Sequence, residues 1–114
     1  MKNTLSNFNI ERERLQELMQ NNSGIHTKRF LNLDSNVYKK GALSTPIKEL
    51  LGLVSSLVLR CDDCITYHLN RCYADGISDQ ELEETLSIGL IVGGSITIPH
   101  IRRAWDIWEE LKND

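Results

Sequence analysis

The chain has 114 residues, of which 40% are hydrophobic and 25% are charged. This length and composition predict one globular domain whose core needs no disulfide or metal for stability. The formal net charge of −3, with acidic and basic residues intermixed, argues against nucleic acid as a partner, because surfaces that bind nucleic acid cluster Lys and Arg.

No segment of the sequence indicates a membrane protein or a secreted one. The N-terminal residues lack the apolar stretch of a signal peptide. The most apolar stretch, residues 86–98, is too short to span a bilayer and is interrupted by Gly89, Gly93 and Gly94. We therefore expect a cytoplasmic protein, in which three cysteines are more typical of reactive or metal-binding thiols than of structural disulfides.

Helical patterns extend over the whole sequence and predict an all-α chain. Residues 1–42 are expected to form an N-terminal helical segment that packs on a core of residues 43–114. The segment contains one predicted helix at residues 7–20 and a second at residues 27–40, which Gly41 ends. Turn-forming residues at 34–36 weaken the second prediction.

The third helix opens at residues 44–46, where Thr45 can cap the helix and Pro46 suits its first turn. Apolar residues then recur with a helical period. A fourth helix is predicted from Cys61 to Ala74, with Gly76 as its C-cap.

Residues 77–82 are a strong start signal for a fifth helix, because Ser78 and Glu81 have the spacing of a capping box. That helix is expected to run to about Val92. Glycines at 93 and 94 then interrupt the chain before a last helix at residues 99–112. The sequence thus predicts five to six helices.

The first candidate site lies at the start of the fourth helix, where Cys61 and Cys64 are separated by Asp62 and Asp63 and followed by His68. Offsets of three and four residues place both thiols and the imidazole on one helical stripe. The thiols can form a disulfide or share a metal, and the imidazole can move a proton to or from a thiol. A helix N-terminus favours a thiolate, whereas the two aspartates oppose it.

Glu49 in the third helix is the best candidate for the group that orients His68. If the third and fourth helices pack antiparallel around a tight turn, Glu49 and His68 lie about 15 Å and about 10 Å from that turn and are nearly abreast. Glu49, His68, Cys64 and Cys61 could then form a relay. We expect Cys61, nearest the turn, to be the more exposed thiol and Cys64 to be nearer to His68. The alternative for Glu49 is an exposed helix residue.

A metal site is disfavoured. Cys61, Cys64, His68 and Cys72 are nominally four ligands, but a straight helix spreads them over about 16 Å. A structural zinc also usually takes two close pairs of ligands. Cys72 is most simply a small buried hydrophobe.

His100 is a possible neighbour of the active site, because it follows the glycines at 93 and 94, and such breaks often mark a close approach of backbone or ligand. Alternatively, and equally well supported, His100 is simply a polar residue at the start of the last helix. The adjacent pair Arg102 and Arg103 is expected to be a solvated face.

The spacing of Glu49, Cys61, Cys64 and His68 resembles the alkylhydroperoxidase D branch of the carboxymuconolactone decarboxylase superfamily. Residues 43–49 resemble the family's approach to its glutamate, and residues 74–82 resemble the turn after its active helix. The resemblance covers roughly residues 43–111.

The resemblance implies a single-domain helical bundle that assembles as a homo-oligomer, often a trimer or hexamer. It implies that Cys61 and Cys64 cycle between dithiol and disulfide, with Glu49 and His68 as the proton relay. The substrate would be a hydroperoxide or a disulfide. Electrons would come from a thiol or disulfide reductant protein, with no bound metal or flavin.

Three classes of function follow. The first is a thiol-disulfide oxidoreductase with alkylhydroperoxidase, peroxiredoxin-like activity. The second is a non-redox lyase of the carboxymuconolactone decarboxylase type that uses His68, with or without His100, as acid and base. The third is a non-catalytic helical subunit whose disulfide state alters partner binding.

Overall fold

The computed structural model describes residues 3–113. Residues 1 and 2 of the predicted N-terminal segment and residue 114 of the predicted core lie outside this range. The described chain is all-helical, as predicted, and contains six α-helices with a 3-10 turn, Ser95–Thr97, before the last. The helices are α1 Thr4–Asn22, α2 Ile25–Val37, α3 Thr45–Val58, α4 Asp62–Ala74, α5 Asp79–Gly93 and α6 Ile98–Lys112.

The core lies between the last four helices and also includes Leu5 of α1. Helix α3 packs against α4 and α5, and α4 also packs against α6. Full burial of one Leu, Ile or Phe side chain contributes about 1.5–3 kcal/mol to stability, so this cluster holds the helices that carry the candidate site. Its largest members are Leu53, Leu57, Ile65, Leu69, Leu82, Leu86, Ile107 and Trp108.

The turn between α3 and α4 sets the position of the first cysteine. Arg60 adopts a left-handed backbone conformation with φ of 61°. The N–H groups of Arg60 and Cys61 donate to the carbonyl oxygens of Leu57 and Ser56, which is the hydrogen-bond pattern of a Schellman motif. The chain therefore reverses at once, and Cys61 becomes the N-cap of α4.

Two helix starts test the predicted caps. The capping box of α5 is confirmed, because Ser78 Oγ accepts from Glu81 N–H at 3.1 Å and Glu81 accepts from Ser78 N–H at 2.8 Å. The predicted cap of α3 is wrong: Ser44, in extended backbone, is the N-cap. Thr45 is already helical, and its hydroxyl donates to the carbonyl of Tyr38 at 3.1 Å.

We expect Ser78→Ala to lower the free energy of unfolding by about 1 kcal/mol, because the cap of α5 is lost. Ser55→Ala is the matched control, since Ser55 is an exposed residue within α3 and Ala favours a helix interior. Urea denaturation followed by circular dichroism measures both. Equal stability of the two variants would contradict a role for the cap.

The two N-terminal helices differ in how they are held. The buried Leu5 of α1 donates its backbone N–H to Glu110 of α6 at 2.8 Å, and Asn70 of α4 donates to Asn9 at 3.0 Å. Helix α2 has no buried residue. Four of its five apolar side chains are more than half exposed, namely Ile25, Phe30, Leu33 and Val37. A 13-residue helix is marginal on its own in water, and in the described chain most of the apolar side chains of α2 are open to solvent.

Candidate functional site

Cys61 and Cys64 are joined in a disulfide at the start of α4, with their Cα atoms 5.3 Å apart. Cys61 is half-buried and Cys64 is exposed, so the expectation that Cys61 is the more exposed thiol is wrong. The reason is its role as the N-cap. Its sulfur turns back over the first turn, where it accepts the N–H of Cys64 at 3.3 Å.

Glu49 and His68 form a buried pair between α3 and α4. Glu49 is 2% exposed and His68 is 8% exposed, and Glu49 Oε1 lies 2.8 Å from His68 Nδ1. The alternative of Glu49 as an exposed helix residue is therefore wrong. A carboxylate can only accept, so Nδ1–H donates to it. His68 Nε2 is then the nitrogen that can exchange a proton.

The imidazole is flanked by two aromatic rings that the sequence did not single out. The ring centroids of Tyr38 and Tyr67 lie 5.5 Å and 5.3 Å from that of His68. Burial, and next the Glu49 carboxylate, raises the pKa of Tyr38. The Tyr38 phenol therefore stays a protonated hydrogen-bond donor at neutral pH.

Gly52 permits the close approach of these groups. A Cβ at this position would lie 2.5 Å from Tyr38 Oη and 2.8 Å from His68 Nε2, which is too short for real carbon contacts. Gly52 belongs to α3, and only a glycine at this position leaves room for the side chains of Tyr38 and His68. One signal was visible in the sequence: a lone glycine in an apolar helix often has a packing reason.

An open groove of about 410 Å³ reaches His68 from the outer side of α3. Its walls are mainly apolar and include Leu43, Leu51 and Leu59. Neither cysteine lines this groove. In the disulfide state, within residues 3–113, no hydrogen bond joins the imidazole to a sulfur; a disulfide sulfur carries no proton to transfer. Of the four residues of the predicted relay, the structure joins Glu49 to His68 and Cys61 to Cys64.

The start of α6 reaches the residues between the two cysteines. His100 Nδ1 lies 2.7 Å from Asp62 Oδ1, and Arg103 Nε lies 2.8 Å from Asp62 Oδ2. His100 is therefore next to the Cys-x-x-Cys motif. Arg103 is not only part of a solvated face, because it forms an ion pair with Asp62.

Cys72 lies apart from this chemistry. It is fully buried, and burial, followed by the charges of Glu49 and Asp75, raises its pKa to about 12. The Cys72 thiol therefore stays protonated at neutral pH and is a poor nucleophile.

The part of the chain that the structure describes, residues 3–113, has neither a cluster of metal ligands nor a membrane-spanning helix. Among residues 3–113, no three His, Cys, Asp or Glu side chains lie close enough to hold a metal ion. In that same range no helix is both long enough and apolar enough to cross a bilayer.

The family model for the carboxymuconolactone decarboxylase family matches residues 26–107. The chain belongs to this family. A carboxymuconolactone decarboxylase family protein of Thermotoga maritima, described as a candidate for the antioxidative response, is 54% identical in sequence. Its crystal structure aligns over 94% of this chain and 91% of its own, with a TM-score of 0.89.

Two other proteins are similar to this chain, one in fold and one over part of its sequence. A Legionella pneumophila family member aligns with a TM-score of 0.90 over 96% of this chain and 98% of its own at 22% identity, which shows the shared fold. An uncharacterized protein of Cupriavidus necator is 30% identical over 54 residues. The match spans 47% of this chain and about half, 48%, of that protein.

Proposed function

We propose that this family member is a thiol-disulfide oxidoreductase that reduces alkyl hydroperoxides. The observation that carries the proposal is the Cys61–Cys64 disulfide at the start of α4, one turn before a histidine that is buried against Glu49. Family membership and the antioxidative description of the Thermotoga relative support it.

Cys64 is the peroxide-attacking thiol in this proposal, because it is the exposed cysteine and lies one helical turn from His68. In the reduced enzyme, His68 Nε2 takes the proton of Cys64, directly or through one water. Glu49 stabilises the resulting imidazolium through the Nδ1–H bond.

The chemical steps balance without a metal or a flavin. The Cys64 thiolate attacks one peroxide oxygen, the O–O bond breaks, and the alcohol leaves with the proton from His68. The sulfenic acid on Cys64 is then attacked by Cys61, which forms the disulfide and releases water. One hydroperoxide and two thiols thus yield one alcohol, one water and one disulfide.

A dithiol reductant protein closes the cycle by thiol-disulfide exchange, which returns two electrons to the pair. The redox-active disulfide serves as the redox group in place of a cofactor. The proposal locates the enzyme in the cytoplasm, where thiol reductants keep such pairs reduced.

A count of reactive thiols tests the proposed cycle. The reduced native protein is expected to show two fast-reacting thiols, with the third, Cys72, appearing only after unfolding. One equivalent of cumene hydroperoxide should remove the two fast thiols and create no covalent dimer on a non-reducing gel. Unchanged thiols would rule out the cycle. Family-type lyase turnover that survives thiol alkylation would instead favour decarboxylase chemistry.

We also propose a homo-oligomer, a trimer or a hexamer, in which a second copy covers α2. The exposed apolar face of α2 supports this. Helix α5 offers a complementary apolar surface, where Ile88, Ile91 and Val92 are 60%, 85% and 69% exposed. Monomeric proteins rarely leave so much apolar surface in contact with water.

Light scattering after gel filtration is expected to show a mass of three or six chains. The double change Phe30→Lys, Leu33→Lys should shift the population towards smaller species, because it places charges on the apolar face. Asn32→Lys, which adds a charge at an exposed polar position of the same helix, is the control. A wild-type monomer at micromolar concentration would contradict the proposal.

A further inference from the structure

Asp62 lies between the two cysteines, and its carboxylate contacts two side chains of another helix, α6. Both carboxylate oxygens have partners on α6: Oδ1 contacts His100 Nδ1 at 2.7 Å and Oδ2 contacts Arg103 Nε at 2.8 Å. These partners are separated from Asp62 by 38 and 41 residues in sequence. The contact therefore fixes the start of α6 against the redox motif.

The distances assign the proton positions in this cluster. A carboxylate only accepts hydrogen bonds, so at 2.7 Å His100 Nδ1 must carry the proton that it donates. Arg103 Nη2 lies 3.2 Å from the same nitrogen, but it cannot donate to a nitrogen that already bears hydrogen. Arg103 consequently acts through Asp62 Oδ2, and the carboxylate receives one bond from each residue.

Asp63, the other acid of the motif, offers a natural contrast. It is exposed and has neither a hydrogen bond nor an ion pair to any side chain of the described chain, residues 3–113. Within residues 3–113, side-chain partners thus compensate the charge of Asp62 but not that of Asp63. A nearby negative charge disfavours a thiolate, and a compensated charge does so less.

We propose that Arg103 and His100 are positioning residues that hold Asp62, Arg103 by an ion pair and His100 by a hydrogen bond, and thereby raise the reduction potential of the Cys61–Cys64 disulfide. The inference rests on the dithiol–disulfide cycle of the proposed function. It adds that residues of α6 adjust the reduction potential of the cysteine pair. A stabilised thiolate stabilises the reduced protein, which makes the disulfide a stronger oxidant.

Equilibration with dithiothreitol measures this potential. Reduction breaks the Cys61–Cys64 bond and takes two electrons and two protons from dithiothreitol, whose own thiols form a cyclic disulfide. Arg103→Gln is expected to lower the equilibrium constant for reduction about tenfold, which corresponds to about 30 mV. Arg103→Lys, which keeps the charge, should stay close to wild type.

Arg102→Gln is the matched control, because it removes the same charge from the adjacent exposed position. It should change the equilibrium constant by less than about threefold, as expected for a solvated charge. Shifts of equal size for Arg102→Gln and Arg103→Gln would overturn the inference, since they would show a general charge effect.

A double-mutant comparison tests whether Arg103 acts through Asp62. In an Asp62→Asn background, Arg103→Gln should shift the equilibrium constant by less than about threefold. A full tenfold effect of Arg103→Gln without Asp62 would overturn the inference, because Arg103 would then act on the thiolates without Asp62.

The outcome is separable from that of the proposed function. The potential is measured without peroxide, so a protein that fails to consume hydroperoxide can still show the Arg103 shift. In that case the peroxidase proposal fails and the tuned disulfide stands. Circular dichroism of each oxidised variant confirms that the helices are intact, so an altered potential does not report unfolding.

Discussion

The double variant Cys61→Ser, Cys64→Ser is expected to lose all consumption of cumene hydroperoxide in the presence of dithiothreitol. A serine hydroxyl forms neither a sulfenic acid nor a disulfide under these conditions, so both steps of the cycle disappear. The decrease of hydroperoxide over time measures the activity. Cys72→Ala is the control and should remain active, because the Cys72 thiol is buried and protonated.

The single variants assign the order of attack. Cys61→Ser should still react once with hydroperoxide and leave a sulfenic acid on Cys64 that dimedone traps, because the attacking thiol remains. Cys64→Ser should react far more slowly. Rapid dimedone labelling of Cys61 in Cys64→Ser would reverse the assigned order, and wild-type turnover by the double variant would exclude the thiol mechanism altogether.

The helices were predictable because their signals are local. The capping box at Ser78 and the glycine at 76 fix the ends of neighbouring helices through hydrogen bonds that span only a few residues. The predicted cap at Thr45 missed by one residue. Ser44 and Thr45 are both capping residues, and the backbone conformation that decides between them is not written in the sequence.

The Glu49–His68 contact was predictable for a different reason. A short turn between two packed helices places residues at similar distances from the turn side by side, so sequence spacing alone indicated the pair. The contacts of Tyr38 with His68 and of Asp62 with His100 had no such guide. Each joins distant parts of the chain, and their geometry depends on how α2 ends and how α6 crosses α4.

The exposure of the two cysteines could not be predicted from their positions along a helix. Position in the turn indicated that Cys61 would be exposed, but capping turned its sulfur towards the Cys64 N–H. The cap also gives Cys61 a hydrogen bond that would stabilise a thiolate. We therefore infer a division of roles in which the exposed Cys64 meets the peroxide and the capped Cys61 resolves the sulfenic acid.

Glu49→Gln is expected to lower the rate of peroxide consumption at pH 7 about 100-fold, the size of a typical general-base contribution. Glutamine keeps the shape of glutamate and can still accept the hydrogen bond from His68 Nδ1, but it carries no charge to stabilise the imidazolium. Proton transfer from Cys64 becomes unfavourable, while the fold is largely retained. Stopped-flow measurement of sulfenic acid formation isolates this step from reduction of the disulfide.

Glu110→Gln is the matched control for this change. Glu110 is also a buried acid, 9% exposed. It lies near the C-terminal end of α6, where it accepts a hydrogen bond from the backbone N–H of Leu5 in α1. Its replacement should affect stability and leave the rate unchanged. Equal losses in the two variants would mean that the Glu49 effect is structural.

The pH dependence gives the Glu49 variant a second, independent readout. Above about pH 8.5 an ordinary cysteine loses its proton to solvent without assistance. The rate of Glu49→Gln should therefore rise with pH and approach that of the wild type under alkaline conditions. A 100-fold deficit that persists at pH 9.5 would assign Glu49 to a step other than deprotonation of the thiol. Recovery would show that the buried carboxylate matters because it makes the thiolate available at neutral pH.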